Sequence, residues 1–177
     1  MDWYVVDKKY INYLTQFDSR VGYVEYGDRL KLHVGILLTI GAFHYYVPIS
    51  SAKSKHKNMS NSLDFHKLQD ESSGFLYAVL NINNMIPVPD NCVTQLKYNH
   101  IAHFRSFKNE KEKTDYVYLL QKEKALIDKV QDTLQIKALK LYQKCTDKPD
   151  SSLASRCCNF KMLEAKCTSY TNPPSPS

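Results

Sequence analysis

At 177 residues the chain favours one domain, long enough to bury about 70% of its unfolded surface without a disulfide or metal staple. Hydrophobic residues at 43% and charged residues at 24% exclude a disordered chain. The longest apolar block, residues 32–44, is broken by His33, Gly35, Thr39 and Gly41 and falls short of the roughly 20 residues of a membrane span. With 24 Lys+Arg against 18 Asp+Glu the net charge is +6, which favours polyanionic partners. Met1-Asp2-Trp3-Tyr4 lacks the basic and then apolar start of a secretory signal, so a cytoplasmic protein is expected.

Residues 3–6 form a short β-prone run, and Asp7 then reads as the N-cap of a helix with Tyr10, Ile11, Leu14 and Phe17 at helical spacing. Residues 19–30 are polar, with Gly22 and Gly27, and read as a loop or irregular edge strand. Residues 31–40 alternate, with Leu32, Val34, Ile36, Leu38 and Ile40 on one face and His33, Gly35, Leu37 and Thr39 on the other. Gly41-Ala42 supplies a turn, and Phe43, Tyr45, Val47 and Ile49 alternate again until Pro48 and Ser50-Ser51 stop the ladder, which predicts a β-hairpin. Residues 51–73 are polar, anchored by Leu63, Phe65 and Leu68, and predict a long functional loop with one helical turn. Gly74 opens a second β block over 75–88 with a bend at Asn83-Asn84, ended by Pro87 and Pro89.

From Val93 the period becomes helical. Tyr116, Leu119, Leu120, Glu123, Ile127, Val130, Leu134, Ala138 and Leu141 make one stripe of about seven turns. Lys148-Pro149-Asp150 breaks it, residues 158–167 form a last helix, and the tail 171–177, with three prolines, is expected to be disordered. Strands first and helices after define an α+β domain over residues 1–170, with a compact, curled antiparallel sheet or partial barrel and added helices.

The chemistry is narrowed by what is missing. The five cysteines, Cys92, Cys145, Cys157, Cys158 and Cys167, show no C-x-x-C spacing and read as reduced and structural; no metal or cofactor is expected. No Walker loop, G-x-G-x-x-G, G-x-S-x-G or H-E-x-x-H is present. Thirteen tyrosines, mostly interleaved with lysine, suit RNA, whose bases stack on rings, although any single tyrosine reads first as a core-edge residue. One segment stands out: residues 48–57 leave a strand and present Ser50, Ser51, Lys53, Ser54, Lys55, His56 and Lys57. On composition alone it also reads as a solubilising basic loop. RNA carries its own nucleophile, and cleavage through the 2′-OH needs a base, cations for the developing phosphorane charge and a proton donor, roles that Lys, Ser and Tyr can fill.

Five elements follow in order: Tyr4-Val5-Val6 with Lys9-Tyr10-Ile11-Asn12-Tyr13-Leu14; Lys31-Leu32-His33-Val34-Gly35-Ile36; Pro48-Ile49-Ser50-Ser51-Ala52-Lys53 followed by His56; Asn81-Ile82-Asn83-Asn84-Met85-Ile86-Pro87; and Asn159-Phe160 with Leu163-Glu164. Together they resemble the ToxN/AbiQ family, the endoribonuclease toxins of type III toxin–antitoxin systems, over nearly the full length. The resemblance implies a curled sheet like that of plasmid-maintenance toxins. It also implies metal-independent cleavage of messenger or phage RNA to 2′,3′-cyclic phosphate and 5′-hydroxyl ends. Its implied partner is a repeated, pseudoknotted antitoxin RNA in a closed toxin–RNA assembly, its setting phage abortive infection.

Carried onto this chain, the resemblance implies Ser50, Ser51, Lys53, Lys31 and Tyr10 as catalytic residues and the loop residue Tyr26 as an RNA contact. Ser51 and Lys53 would meet the scissile phosphate and 2′-OH, with Lys53 as electrostatic stabiliser or, if burial lowers its pKa, as the proton-transfer group. Lys31 would stabilise charge and Tyr10 would position or donate a proton. Lys55, His56, Lys57, Lys97, Arg105 and Lys108 are the expected RNA-binding residues, with Lys111 and Lys113 further along the same basic segment. Two other classes stay open: a non-catalytic RNA-binding module, and a barrel toxin that poisons a protein target.

Overall fold

The computed structural model describes residues 1–22 and 31–171. In chain order the elements are β1 Asp2–Val6, α1 Lys8–Thr15, β2 His33–Ile40, β3 Phe43–Ser51, α2 Ser54–Lys57, β4 His66–Gln69, β5 Leu76–Leu80, β6 Ile86–Pro87, β7 Val93–Gln95, α3 Glu110–Lys129, α4 Gln131–Asp147 and α5 Phe160–Thr171. Short 3₁₀ turns punctuate the connections. The strands make one antiparallel sheet in the order β4-β5-β3-β2-β1-β7, with β6 added beside β3. The sheet is curled and does not close, as the α+β reading anticipates. The tail expected at 171–177 lies almost wholly outside the described residues.

Several local expectations hold for the anticipated reasons. Asp7 caps α1, its carboxylate accepting from Lys9 N at 2.6 Å, and Tyr10, Ile11 and Leu14 bury the inner face. The hairpin β2–β3 turns at Gly41, whose φ of +56° suits glycine.

Other expectations are corrected. Val34 pairs with Val47 but Leu38 pairs with Tyr45, so β2 carries extra residues in a bulge. The bulge turns Leu37 inward, 1% exposed, and Ile36 outward, 37% exposed, against the simple alternation. Within the long polar segment 51–73 stands an edge strand, β4, which its polar composition hides. Residues 93–95 extend the sheet as β7 rather than beginning the helical region. The long stripe is two helices, α3 and α4, parted at Val130, whose ψ of 13° breaks the helical path.

The core lies between the sheet and the helices. Trp3, Val34, Leu37, Tyr45 and Val47 of the sheet join Tyr10 and Leu14 of α1, Leu134 and Leu141 of α4, and Phe160 and Leu163 of α5. Side-chain bonds tie distant elements together. Trp3 Nε1 donates to Leu120 O at 3.3 Å, and the buried Asp18 carboxylate accepts from Arg20 and from Asn159 N ahead of α5.

Gly35 sits where only a glycine fits, because a Cβ there would collide with Cδ1 and Cε1 on the edge of the buried Tyr46 ring. Gly35→Ala should destabilise the protein by about 1–3 kcal/mol, the range for overpacking a filled core. Chemical denaturation followed by circular dichroism measures this, and an unchanged midpoint would show that the Tyr46 ring yields without strain.

Candidate active site

The site is built where β3 changes partners. Along one edge β3 pairs with β2, His33 opposite Pro48, and Ile49 N donates to Leu32 O at 3.1 Å. Lys31 precedes this last bond by one residue, as Ser50 follows it. Along the other edge Tyr45 and Tyr46 pair with β6, while Ile49, Ser50 and Ser51 pair with β5. Pro48 O accepts from Asn81 N at 3.3 Å, so its donorless nitrogen faces the gap between β6 and β5. That placement explains why the proline does not end the strand, which runs on to Ser51.

Ser50 Oγ accepts from Asn81 Nδ2 at 3.1 Å, which fixes the serine rotamer and leaves its own O–H to donate. Ser51, exposed, shares its rung with Ala78. Two residues on, Lys53 is extended and exposed at the N-cap of α2. This single-turn helix is pinned by His56, whose ring is buried and tilted against Phe65 at 5.7 Å. His56 Nδ1 accepts from Lys53 N at 3.1 Å and His56 N donates to Lys53 O at 2.8 Å. An accepting Nδ1 places the ring proton on Nε2. Burial, then the charges of Lys55 and Lys53, holds the His56 pKa below its ordinary value.

Lys31 is partly buried beside Gly22, where an added Cβ would come within 3.0 Å of its Nζ. Burial draws the Lys31 pKa down, only partly opposed by Cys158. His33, two residues along, is pushed down to about 3 by burial first and by the Lys31 charge second. It is therefore a neutral residue of the sheet, with Nδ1 unpartnered among the described residues.

The structure thus brings Lys31, Ser50, Ser51 and Lys53 to one strand exit. Three predicted residues stand differently. Tyr10 is fully buried in α1 and donates its hydroxyl to Pro87 O at 2.7 Å, so it is a core residue and not a contact for substrate. His56 points inward and positions Lys53 instead of meeting RNA. Arg105 lies against the Phe107 and Tyr116 rings, 5.1 and 4.3 Å from their centres, and pairs with Glu112 at 3.0 Å, an internal tie. Lys55, Lys57, Lys97 and Lys108 are exposed, whereas Lys111 and Lys113 form ion pairs along α3. Tyr26 lies outside the described residues.

Asn81 is the residue the sequence reading missed as a site component. Its signal is a polar amide directly after the apolar run of β5. All five cysteines are buried, and burial raises every thiol pKa, which disfavours a thiolate nucleophile. Among the described residues no helix is long and apolar enough to cross a membrane, and no group of three or more His, Cys, Asp or Glu could hold a metal.

An open, curled antiparallel sheet with helices against it is the α+β class of the bacterial type III toxins. A solved toxin from a type III system, selectively inhibited by a non-coding RNA pseudoknot, superimposes with a TM-score of 0.81 at 27% identity, covering 97% of this chain and 98% of that one. The structure of AbiQ, a lactococcal anti-phage endoribonuclease of the same type, gives a TM-score of 0.78 at 28% identity over 96% and 97% of the two chains. The family model for toxin ToxN of type III toxin–antitoxin systems matches residues 2–168, and the chain belongs to that family. Endoribonuclease AbiQ of Lactococcus lactis is 28% identical over 96% of this chain and 88% of its own length. Endoribonuclease ToxN of Bacillus thuringiensis is 30% identical over 95% and 83%.

Proposed function

We propose that the chain is a metal-independent endoribonuclease toxin that cleaves RNA through its 2′-OH, leaving 2′,3′-cyclic phosphate and 5′-hydroxyl ends. In this reading a repeated antitoxin RNA pseudoknot restrains it in a closed assembly, and it acts in the cytoplasm in abortive phage infection. The observation that carries the reading is the strand exit, where Ser50, Ser51 and Lys53 follow one another at the end of β3 and Lys31 stands just ahead of the paired strand β2. Serine hydroxyls and ammonium groups suit a scissile phosphate and are poor company for a hard divalent cation, which takes carboxylates. Relatives named as endoribonucleases align along nearly the whole chain.

Lys53 and Ser51, exposed at the exit, contact the phosphate and the 2′-OH. Ser50, held by Asn81, donates to a phosphate oxygen. Lys31, two residues ahead of β2, is partly buried, and its burial, which draws the pKa down, favours giving up a proton and so the proton-transfer role that Tyr10 is too buried to take.

The test is cleavage of a long single-stranded RNA in EDTA by the wild type, Ser51→Ala and Lys53→Ala, with the new ends assayed for cyclic phosphate. Cleavage to cyclic ends, reduced about a hundred- to a thousandfold in Lys53→Ala while the fold is kept, is the expected result, in line with loss of an electrostatic group in the transition state. Folded wild type that binds RNA without cutting it would leave a binding module in place of the enzyme. Equal rates in all three would move the chemistry away from this loop.

A further inference from the structure

The tip of the β4–β5 hairpin and the adjoining face of α3 carry two exposed aromatic rings, Phe75 and Tyr118, and a third, Tyr77, that packs partly against the core. Phe75 and Tyr118 are each 58% exposed, more than any other large hydrophobic side chain among the described residues. Phe75 meets Tyr77 edge to face at 4.7 Å, and Lys122 Nζ stands 5.1 Å from the centre of the Tyr118 ring. Lys122 also lies within electrostatic reach of Tyr77 and of Asp70. Hairpin and helix therefore form one patch, three rings with an ammonium among them.

The patch begins one residue beyond the last rung of the strand exit, Ser51 with Ala78. Ser50, Val79 and Lys67 form one row across β3, β5 and β4, and Tyr77 follows on β5 at a bulge, the extra residue between the partners of Leu68 and Gln69. Phe75 is three residues from Ala78, a separation of at most about 10 Å. Lys67 ties this face to α2, its Nζ donating to Lys57 O at 3.3 Å. The charge neighbours on the hairpin are Asp70 and Glu71. The Asp70 carboxylate is taken up by the backbone and hydroxyl groups of Ser72 and Ser73, while Glu71 is exposed.

We propose that Phe75, Tyr77 and Tyr118 form a stacking platform for unpaired RNA bases next to the cleavage site, with Lys122 and Lys67 meeting the adjacent phosphates. This inference rests on the nuclease reading above and extends it to where the RNA lies beyond the scissile bond. Exposed rings beside cations are what single-stranded RNA requires, because every base offers a face to stack and every linkage offers a charge. A protein partner would favour an apolar patch without the ammonium at its centre.

The experiment uses the full chain and a fluorescein-labelled, 2′-O-methyl single-stranded RNA of mixed sequence, which cannot be cut, with a duplex of the same length as control. Binding is read by anisotropy over a salt series. Phe75→Ser with Tyr118→Ser should weaken single-strand binding at least about tenfold and leave duplex binding and the salt slope unchanged. Phe75→Tyr should restore most of the affinity. Lys122→Gln should lower the salt slope by about 0.7, as one phosphate contact is lost. Single-strand binding equal to wild type in the double serine variant would overturn the platform while leaving the nuclease reading intact. The platform is likewise overturned if that variant only abolishes self-association of the chain. Wild type that binds neither RNA would overturn both readings, and the cleavage assay in EDTA would show it independently.

Discussion

Glu164→Ala should remove about 4 kcal/mol of stability and lower the melting temperature by roughly 8–16 °C. Glu164 is buried, and its Oε1 accepts from Tyr45 at 2.9 Å and from Tyr142 at 2.7 Å. Both phenols are themselves buried, and burial together with this carboxylate holds the Tyr45 hydroxyl far above the usual phenol range. Truncation leaves two enclosed hydroxyls without an acceptor and opens a cavity between β3 and α5. The other oxygen, Oε2, accepts from Lys161 at 3.0 Å, but that side chain is 62% exposed. Lys161→Ala should therefore cost less than about 1 kcal/mol, the ordinary range for a screened pair. Thermal melts of both variants separate the two contributions, and equal losses would show that the ion pair, not the phenol bonds, holds this corner.

Glu123→Gln should stabilise the protein at pH 8. Glu123 is 5% exposed in α3, and burial alone pushes its pKa from 4.5 up to about 7. The folded carboxyl keeps its proton until about pH 7 while the unfolded one loses it near 4.5. The stability that follows from this group is thus present below pH 4.5 and lost as pH rises toward 7. At 1.36 kcal/mol per unit the loss reaches about 3 kcal/mol above pH 7, and allowing for the burial of an amide the variant should gain about 2 kcal/mol at pH 8.

Two histidines act in the opposite sense. Burial, then the charge of Lys31, takes His33 down to about 3, and burial, then the charge of Lys137, whose Nζ lies 3.2 Å from the ring, takes His66 down to about 4. Each stays neutral in the fold while its unfolded counterpart gains a proton near 6.5, so their contribution is full above pH 6.5 and falls as pH drops toward 4. Between about pH 5 and 6.5 unfolding takes up two protons at the histidines and releases one at Glu123, a net slope of about 1.4 kcal/mol per pH unit. In Glu123→Gln the release vanishes and the slope should rise to about 2.7. Urea titrations at pH 5, 6 and 8 measure both slopes, and parallel curves for the two proteins would mean that Glu123 is ionised in the fold.

Short-range patterns carried most of the fold. The alternation around Gly41 marked β2 and β3, Asp7 marked its helix, and Ser50, Ser51 and Lys53 were legible because hydroxyls and cations crowd where an apolar strand stops. What the sequence hides depends on partners far along the chain. Nothing local says that β2 bulges and exchanges Ile36 for Leu37. The polar β4 exists because β5 offers it an edge, and β7 because β1 does. His56 and Arg105 read as free cationic groups, yet Lys53 and Phe65 enclose the first, and Phe107, Tyr116 and Glu112 the second. Asn81 is silent as a single amide and becomes part of the site only when Pro48 hands β3 from one neighbour to another.

The pairing of β1 also sets an order of assembly during synthesis. Its Tyr4 stands opposite His33 on one side and Gln95 on the other. A chain made from its N-terminus therefore holds β1 with one open edge until residue 95 is available. Lys31, Ser50, Ser51, Lys53 and Asn81 all precede that point, and α3, α4 and α5 follow it. The whole proposed cleavage apparatus is thus translated before the strand that finishes the sheet and before α3, α4 and α5 join α1 against its inner side.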